Sequence, residues 1–150
     1  MNKIIYIVYY SRTGSTRKIA EAILESFSKL ESEDLEMKLM DAKDLDFAAL
    51  KSADGYIIGT PNYFGAPSGY IKIFFDELFR YRASLQGRPV FCFISHGGSG
   101  NIRALKDMCD WLELRTVGPA IVVKGNSISS KDKLVIVKNI QEMMKFLLLK

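Results

Sequence analysis

The chain has 150 residues, of which 48% are hydrophobic and 25% are charged, and its formal net charge is +4. This balance is typical of one globular domain, expected over residues 1–150, and excludes a disordered tail, a collagen or a disulfide scaffold. Because no run approaches the ~18 uncharged apolar residues of a membrane span, we expect a soluble, cytoplasmic protein. The lysines and arginines form no block, so neither a nucleic acid nor a membrane is the expected partner.

The hydrophobic pattern alternates between strands and helices along the chain. Apolar runs predict strands at residues 4–10, 35–40, 55–59, 90–94 and 120–123. The first run follows a charged start, as in a signal peptide, but its Ile, Val and Tyr content favours a strand. Helical spacing predicts helices at residues 15–30, 44–52, 69–81 and 101–114, and a last one after a cap at 129–132. Buried strands between helices predict an α/β parallel sheet with helices on both faces.

The same spacing predicts which helical side chains face the core. For the third helix these are Ile73, Phe74, Leu78 and Tyr81, and for the fourth Leu105, Met108, Cys109 and Leu112. For the last helix they are Leu134, Val137, Ile140, Met144 and Leu147. A parallel sheet binds its ligand beyond the carboxyl ends of its strands, so the loops after Tyr10, Gly59, Ile94 and Val123 are the candidates.

The loop at residues 11–16 predicts a phosphate site. It carries four hydroxyl side chains and a glycine, and it leads directly into a helix. A helix N-terminus offers free N–H groups and partial positive charge, which together bind phosphate. A helix cap needs only one hydroxyl, so four favour a ligand. The loop is neither a Gly-x-Gly-x-x-Gly nor a P-loop motif, which disfavours a dinucleotide or NTPase site.

Two further loops carry features of a site for a planar ligand. The loop at residues 59–68 holds Tyr63 and Phe64, and we expect one ring to face inward and the other to contact the ligand. The loop at residues 95–101 contains three glycines, which let the backbone approach a ligand and aim N–H groups at it. A packed loop and a flexible turn are the alternatives.

The cysteines and the histidine exclude other chemistries. Cys92 lies in an apolar run and is expected to be an inert core residue. Cys109 and Arg115 have the spacing of a phosphatase loop, but the segment between them is predicted as helix rather than as a glycine-rich loop. His96 is the only histidine, so we predict no histidine-rich metal site and no chain of histidine proton relays.

In the three loops at residues 11–16, 59–68 and 95–101, the chain resembles the flavodoxin family and the related flavodoxin-fold FMN oxidoreductases. Residues 11–16 match the Ser/Thr-x-Thr-Gly-x-Thr loop that holds the FMN phosphate in that family. Residues 59–65, followed by Lys72, Phe74 and Asp76, resemble a motif of the quinone-reductase and FMN-reductase branches. The resemblance covers the whole chain and implies a five-stranded, doubly wound sheet of order 2-1-3-4-5. The basic charge and the lack of a third-loop aromatic depart from typical flavodoxins.

The resemblance implies that FMN is the cofactor and that it performs the redox chemistry without a catalytic side chain. The implied FMN-binding residues are Ser11, Arg12, Thr13, Gly14, Ser15, Thr16, Pro61, Asn62, Tyr63, Phe64, Gly65, Ser95, His96, Gly97, Gly98, Gly100 and Asn101. An electron-transfer flavoprotein is the first expectation, and an FMN-dependent NAD(P)H:quinone or flavin oxidoreductase is the alternative. The expected partner is a redox protein, a small quinone or a pyridine nucleotide, with the chain as a monomer or homodimer.

Overall fold

Strands and helices alternate through residues 2–149, the part of the chain that the computed structural model describes. The strands are β1 Lys3–Tyr9, β2 Leu35–Asp41, β3 Gly55–Tyr63, β4 Ala66–Pro67, β5 Pro89–His96, β6 Arg115–Thr116 and β7 Ile121–Lys124. The helices are α1 Ser15–Ser28, α2 Phe47–Ser52, α3 Gly69–Phe79, α4 Arg82–Leu85, α5 Arg103–Trp111 and α6 Ser130–Leu148. None of the helices between residues 2 and 149 has both the length and the apolar character needed to cross a bilayer.

The strands form one sheet in the order β2-β1-β3-β5, and both β6 and β7 pair with β5. All these pairings are parallel, and only the short β4 runs antiparallel, against the end of β3. The predicted order 2-1-3-4-5 is therefore confirmed. The fifth strand differs in being divided: β6 pairs with the start of β5 and β7 with its end. Gly118, at φ +73°, and Pro119 lie between the two pieces and interrupt the ladder.

Side chains alternate across the sheet and divide the core in two. Ile5 and Ile7 of β1 face α1 and α6, in a core that also holds Phe91 and Phe93. Val8 faces the other side, where α3 and α5 cover the sheet. Because helices cover both faces of the sheet, the central strands are largely apolar. Polar functional groups are therefore expected in the loops beyond the strand ends.

Two helices bury different side chains from those expected. Ile73 is 52% exposed, because α3 turns Ile71, Phe74 and Leu78 to the core instead. Most residues of α3 are apolar, so the spacing of its apolar residues does not decide which side of the helix faces the core. Leu134 is 68% exposed, and the buried face of α6 instead consists of Ile136, Asn139, Ile140, Met143 and Leu147.

The start of α6 is a capping box, as the sequence predicts. The Ser129 hydroxyl accepts a hydrogen bond from the Asp132 amide (3.0 Å), and the Asp132 carboxylate accepts one from the Ser129 amide (3.1 Å). We expect Ser129→Ala to lower the free energy of unfolding by about 1 kcal/mol, because a first-turn amide loses its acceptor. Urea unfolding measures the change. Ser130→Ala is the matched control and should be near neutral; an equal loss in both variants would contradict the cap.

Candidate functional site

The first three predicted loops meet beyond the carboxyl end of the sheet, around a cleft of about 460 Å³. Buried strand ends hold all three loops in place, so the cleft follows from the sheet order. The lining residues are Arg12, Thr13, Ser15, Thr16, Pro61, Asn62, Tyr63, Ser95, His96, Gly97 and Gly125. All but Gly125 are among the residues singled out from the sequence.

One end of the cleft is the start of α1. The Ser11 hydroxyl oxygen accepts hydrogen bonds from the amides of Gly14 (3.1 Å) and Arg17 (3.2 Å), which folds residues 11–17 around it. Gly14 takes φ +98°, in the left-handed region that favours glycine. The amides of Ser15 and Thr16 belong to the first turn of α1, where no helical carbonyl precedes them. This end therefore offers N–H groups and partial positive charge to an anion.

A hydroxyl pair connects this loop to the end of β5. Thr16 Oγ1 and Ser95 Oγ lie 2.7 Å apart, and both residues are buried. The pair holds the start of α1 against the third loop, so two walls of the cleft keep a fixed spacing.

Removing the Thr16 hydroxyl from its pair with Ser95 should destabilise the protein. We expect Thr16→Val to lower the free energy of unfolding by about 1–3 kcal/mol, because Ser95 then holds a buried hydroxyl without its partner. Thermal or urea unfolding measures the change. Thr16→Ser keeps the hydroxyl and should retain most of the stability, whereas a Thr16→Val variant as stable as the wild type would contradict the role of the pair.

The second loop is a hairpin rather than an irregular loop. β3 continues to Tyr63, beyond its predicted end at residue 59, because Asn62 and Tyr63 pair with Pro67 and Ala66 of β4. The Asn62 side-chain amide donates a hydrogen bond to the Ser99 carbonyl oxygen (2.6 Å), which connects the second loop to the third.

The two aromatic rings of this hairpin lie in different surroundings. Tyr63 is partly buried and lines the cleft. Phe64 stands at the hairpin tip, fully exposed and with φ +52°, and together with Gly65 it lies outside the cleft lining. One ring is therefore partly buried and the other is free, as expected, but the free ring is not part of the cleft lining.

The charges of the lining favour an anion. Arg12 is a cation, and the described residues that line the cleft include no Asp or Glu. Burial raises the pKa of the Tyr63 phenol, and the nearby Arg12 guanidinium opposes that rise only in part. The phenol therefore keeps its proton at neutral pH and remains a hydrogen-bond donor.

The third loop places His96 in the cleft wall. Its Nδ1 atom is buried by surrounding protein atoms and has no hydrogen-bond partner within the described chain. The ring packs against Gly100, where an added Cβ would lie 3.3 Å from Nε2 and 2.8 Å from Val122 Cγ1.

The remaining predicted residues hold the loops rather than line the cleft. Ser11 and Gly14 organise the start of α1, and the Asn101 carboxamide oxygen accepts from the Arg103 amide (3.0 Å) at the start of α5. Gly98 and Gly100 lie outside the lining. Gly125 was not among the residues predicted from the sequence, although the loop after Val123, in which it lies, was named as a candidate. Its amide donates a hydrogen bond to the His96 carbonyl oxygen (2.8 Å).

Within residues 2–149, no three His, Cys, Asp or Glu side chains come together as a potential metal site. Cys109 lies in α5 and Arg115 in β6, so the segment between them is not a loop that surrounds a phosphate.

Comparisons with known proteins agree with this fold. The sequence pattern of the NADPH-dependent FMN reductase family matches residues 2–132. A flavodoxin of Aquifex aeolicus is 32% identical over 101 residues, which cover 67% of this chain and 53% of the relative. A probable NAD(P)H dehydrogenase (quinone) of Arabidopsis thaliana is 28% identical over 118 residues, covering 64% and 43%.

A solved structure shows the same fold over nearly the full length of both chains. The flavodoxin of Streptococcus pneumonia TIGR4 superposes with a TM-score of 0.81 at 17% identity, covering 96% of this chain and 99% of that one. By contrast, this chain spans about half the length of the curated relatives it matches.

Proposed function

Since the chain belongs to the NADPH-dependent FMN reductase family, which residues 2–132 match, we propose that it binds FMN and acts as a flavodoxin-like electron-transfer protein. The observation that carries the proposal is the start of α1, where free amides, hydroxyls and Arg12 face one cleft. The flavodoxin relatives and the reductase family agree on the flavin.

The residues of the cleft fit an FMN phosphate. A phosphate monoester carries up to two negative charges at neutral pH, and here it meets a cation, a helix N-terminus and hydroxyl donors without an opposing carboxylate. Thr13, Ser15 and Thr16 would hold the phosphate, with Arg12 beside it. Ser11 and Gly14 shape the loop from behind.

The opposite walls of the cleft fit a planar ring. Pro61, Asn62 and Tyr63 form one wall, and His96 and Gly97 form the other. The Asn62–Ser99 hydrogen bond keeps these walls together. The Tyr63 phenol offers a hydrogen bond to the ring. We propose that the other predicted residues of both loops support this arrangement rather than contact the ring.

When bound, FMN supplies one- and two-electron redox chemistry. The chain's own part is to bind, orient and surround it. Because the described lining holds no carboxylate, its side chains would place no negative charge against a reduced flavin ring. The proposed partner is a redox protein that exchanges electrons at the open side of the cleft.

A second candidate function is an FMN-dependent NAD(P)H:quinone or flavin oxidoreductase. The description of the family and the Arabidopsis relative favour it. In this function the open cleft would also admit a nicotinamide or a quinone, and a pyridine nucleotide would be the electron source.

One experiment separates the two functions. FMN is titrated into the flavin-free full chain while flavin fluorescence is followed, and NADH or NADPH is then added anaerobically, with and without a quinone. Tight uptake of FMN supports both functions, and a chain that takes up no FMN contradicts both. Rapid bleaching of the bound flavin by a pyridine nucleotide favours the reductase, whereas a loaded protein that ignores both nucleotides favours the electron carrier.

A further inference from the structure

The two cysteines of the chain form a pair that the proposed flavin site does not use. Cys92 lies on β5 and Cys109 on α5, and their Sγ atoms are 3.5 Å apart. Both residues are buried and both are free thiols. They are 17 positions apart in the sequence, so the contact is made by the packing of α5 on the sheet.

A second cavity, separate from the cleft proposed for FMN, is lined in part by both cysteines. It has a volume of about 290 Å³ and lies between β5, α5 and the segment that joins β6 to β7. It is lined by Cys92, Ile102, Lys106, Cys109, Thr116, Gly118, Pro119 and Ala120. A space of this size admits molecules larger than one water.

We propose that Cys92 and Cys109 are a redox-active dithiol, which a peroxide entering this cavity converts into a reversible disulfide. The sulfur atoms must approach by about 1.5 Å to reach the ~2.05 Å of a disulfide bond, and side-chain rotation toward the cavity gives them room. The proposal needs no flavin and is therefore independent of the proposed function.

The two cysteines have different roles in the reaction. Cys92 is 9% exposed and Cys109 only 1%, so Cys92 carries the sulfur atom that a peroxide reaches first. A hydrogen bond to Cys92 and burial raise the pKa of Cys109, which favours its protonated form. The Cys92 sulfur attacks one peroxide oxygen, the O–O bond breaks, and Cys92 becomes a sulfenic acid while its proton leaves with the other oxygen as water. Cys109 then attacks Cys92 Sγ and displaces the second oxygen as water. The thiols lose two electrons and two protons, and the peroxide takes up both.

The test uses the reduced full chain, freed of reductant and treated with hydrogen peroxide under native conditions. The chain is then unfolded and alkylated with N-ethylmaleimide, and its intact mass is measured. We expect a product about 2 Da lighter than the reduced chain, with both alkylation sites lost and both regained after dithiothreitol. Retention of two alkylatable thiols, or oxygen adducts without the lighter product, would overturn the proposal.

Single variants test the order of the two steps. In Cys109→Ser the reaction should stop at Cys92 and add one or two oxygens there, because no second thiol is present. In Cys92→Ser, Cys109 should keep its alkylatable thiol. The wild-type result stands without the variants, so a variant that fails to fold leaves the test intact. A covalent dimer in place of the internal bond would contradict the assigned pair.

Discussion

Replacing Thr13 and Ser15 together by alanine is expected to weaken FMN binding by about 10²- to 10⁴-fold while leaving riboflavin binding almost unchanged. Both hydroxyls lie in the cleft at the start of α1. A hydrogen bond to a charged group contributes about 1.5–3 kcal/mol, and each ~1.4 kcal/mol is a tenfold change in the dissociation constant. Riboflavin lacks the phosphate, so it should not detect the loss. Fluorescence titration of both ligands measures the difference.

A matched control makes the same two substitutions, of one threonine and one serine by alanine, at positions outside the cleft. Thr116 and Ser130 are exposed and lie outside the cleft, so alanine at both should leave FMN binding within about twofold of the wild type, a free-energy change of under ~0.5 kcal/mol. Equal losses of FMN and riboflavin affinity in the test variant would indicate that the loop itself has collapsed. Unchanged FMN affinity would place the phosphate elsewhere.

The sequence predicted the parts of the fold that depend on strong local patterns. The apolar runs at Ile5–Val8 and around Phe91 are short and rich in β-branched and aromatic residues, which is typical of strands covered on both sides. They form the centre of the sheet. The hydroxyl-rich segment after the first strand indicated the start of α1 for the same reason: few local structures use so many hydroxyls before a helix.

Features that depend on distant contacts were not predictable. The buried position of Asn139 on α6 follows from its hydrogen bond to the Pro119 carbonyl oxygen (2.8 Å), which no spacing along the helix reveals. The extension of β3 to Tyr63 follows from pairing with a two-residue strand too short to carry a pattern. The contact between Cys92 and Cys109 arises only from the packing of α5 on the sheet, so no local pattern indicated it.

Strand β5 contributes to the core, to the cysteine pair and to the cleft. Along β5, Phe93 packs in the core beside α1 and α6, while Cys92 packs on the opposite side of the sheet. Ser95 and His96, at the end of the same strand, reach the cleft. A change in how β5 packs against its neighbour β3 should therefore affect both stability and the cleft.

Gly59 is the position where that packing is tightest, and Gly59→Ala is expected to lower the free energy of unfolding by about 3 kcal/mol. Gly59 of β3 lies opposite Phe93 of β5 in the parallel ladder. A Cβ at Gly59 would lie 2.0–2.5 Å from three atoms of the Phe93 ring, well inside van der Waals contact. The ring is fully buried, so either it or the backbone must move, and overpacking of this kind typically costs about 1–3 kcal/mol and sometimes more.

Two variants decide whether the Phe93 ring is the cause. Gly69→Ala adds the same methyl group at the first residue of α3, where nothing lies within 4 Å, so it should be neutral or slightly stabilising. Adding Phe93→Leu to Gly59→Ala should recover at least ~1 kcal/mol relative to the sum of the single changes, because the smaller side chain makes room for the methyl group. Urea unfolding of all the variants gives this coupling free energy. Additive losses would show that the strain arises in the β3 backbone rather than at the ring, and a Gly59→Ala variant within ~0.5 kcal/mol of the wild type would show that β5 adjusts freely.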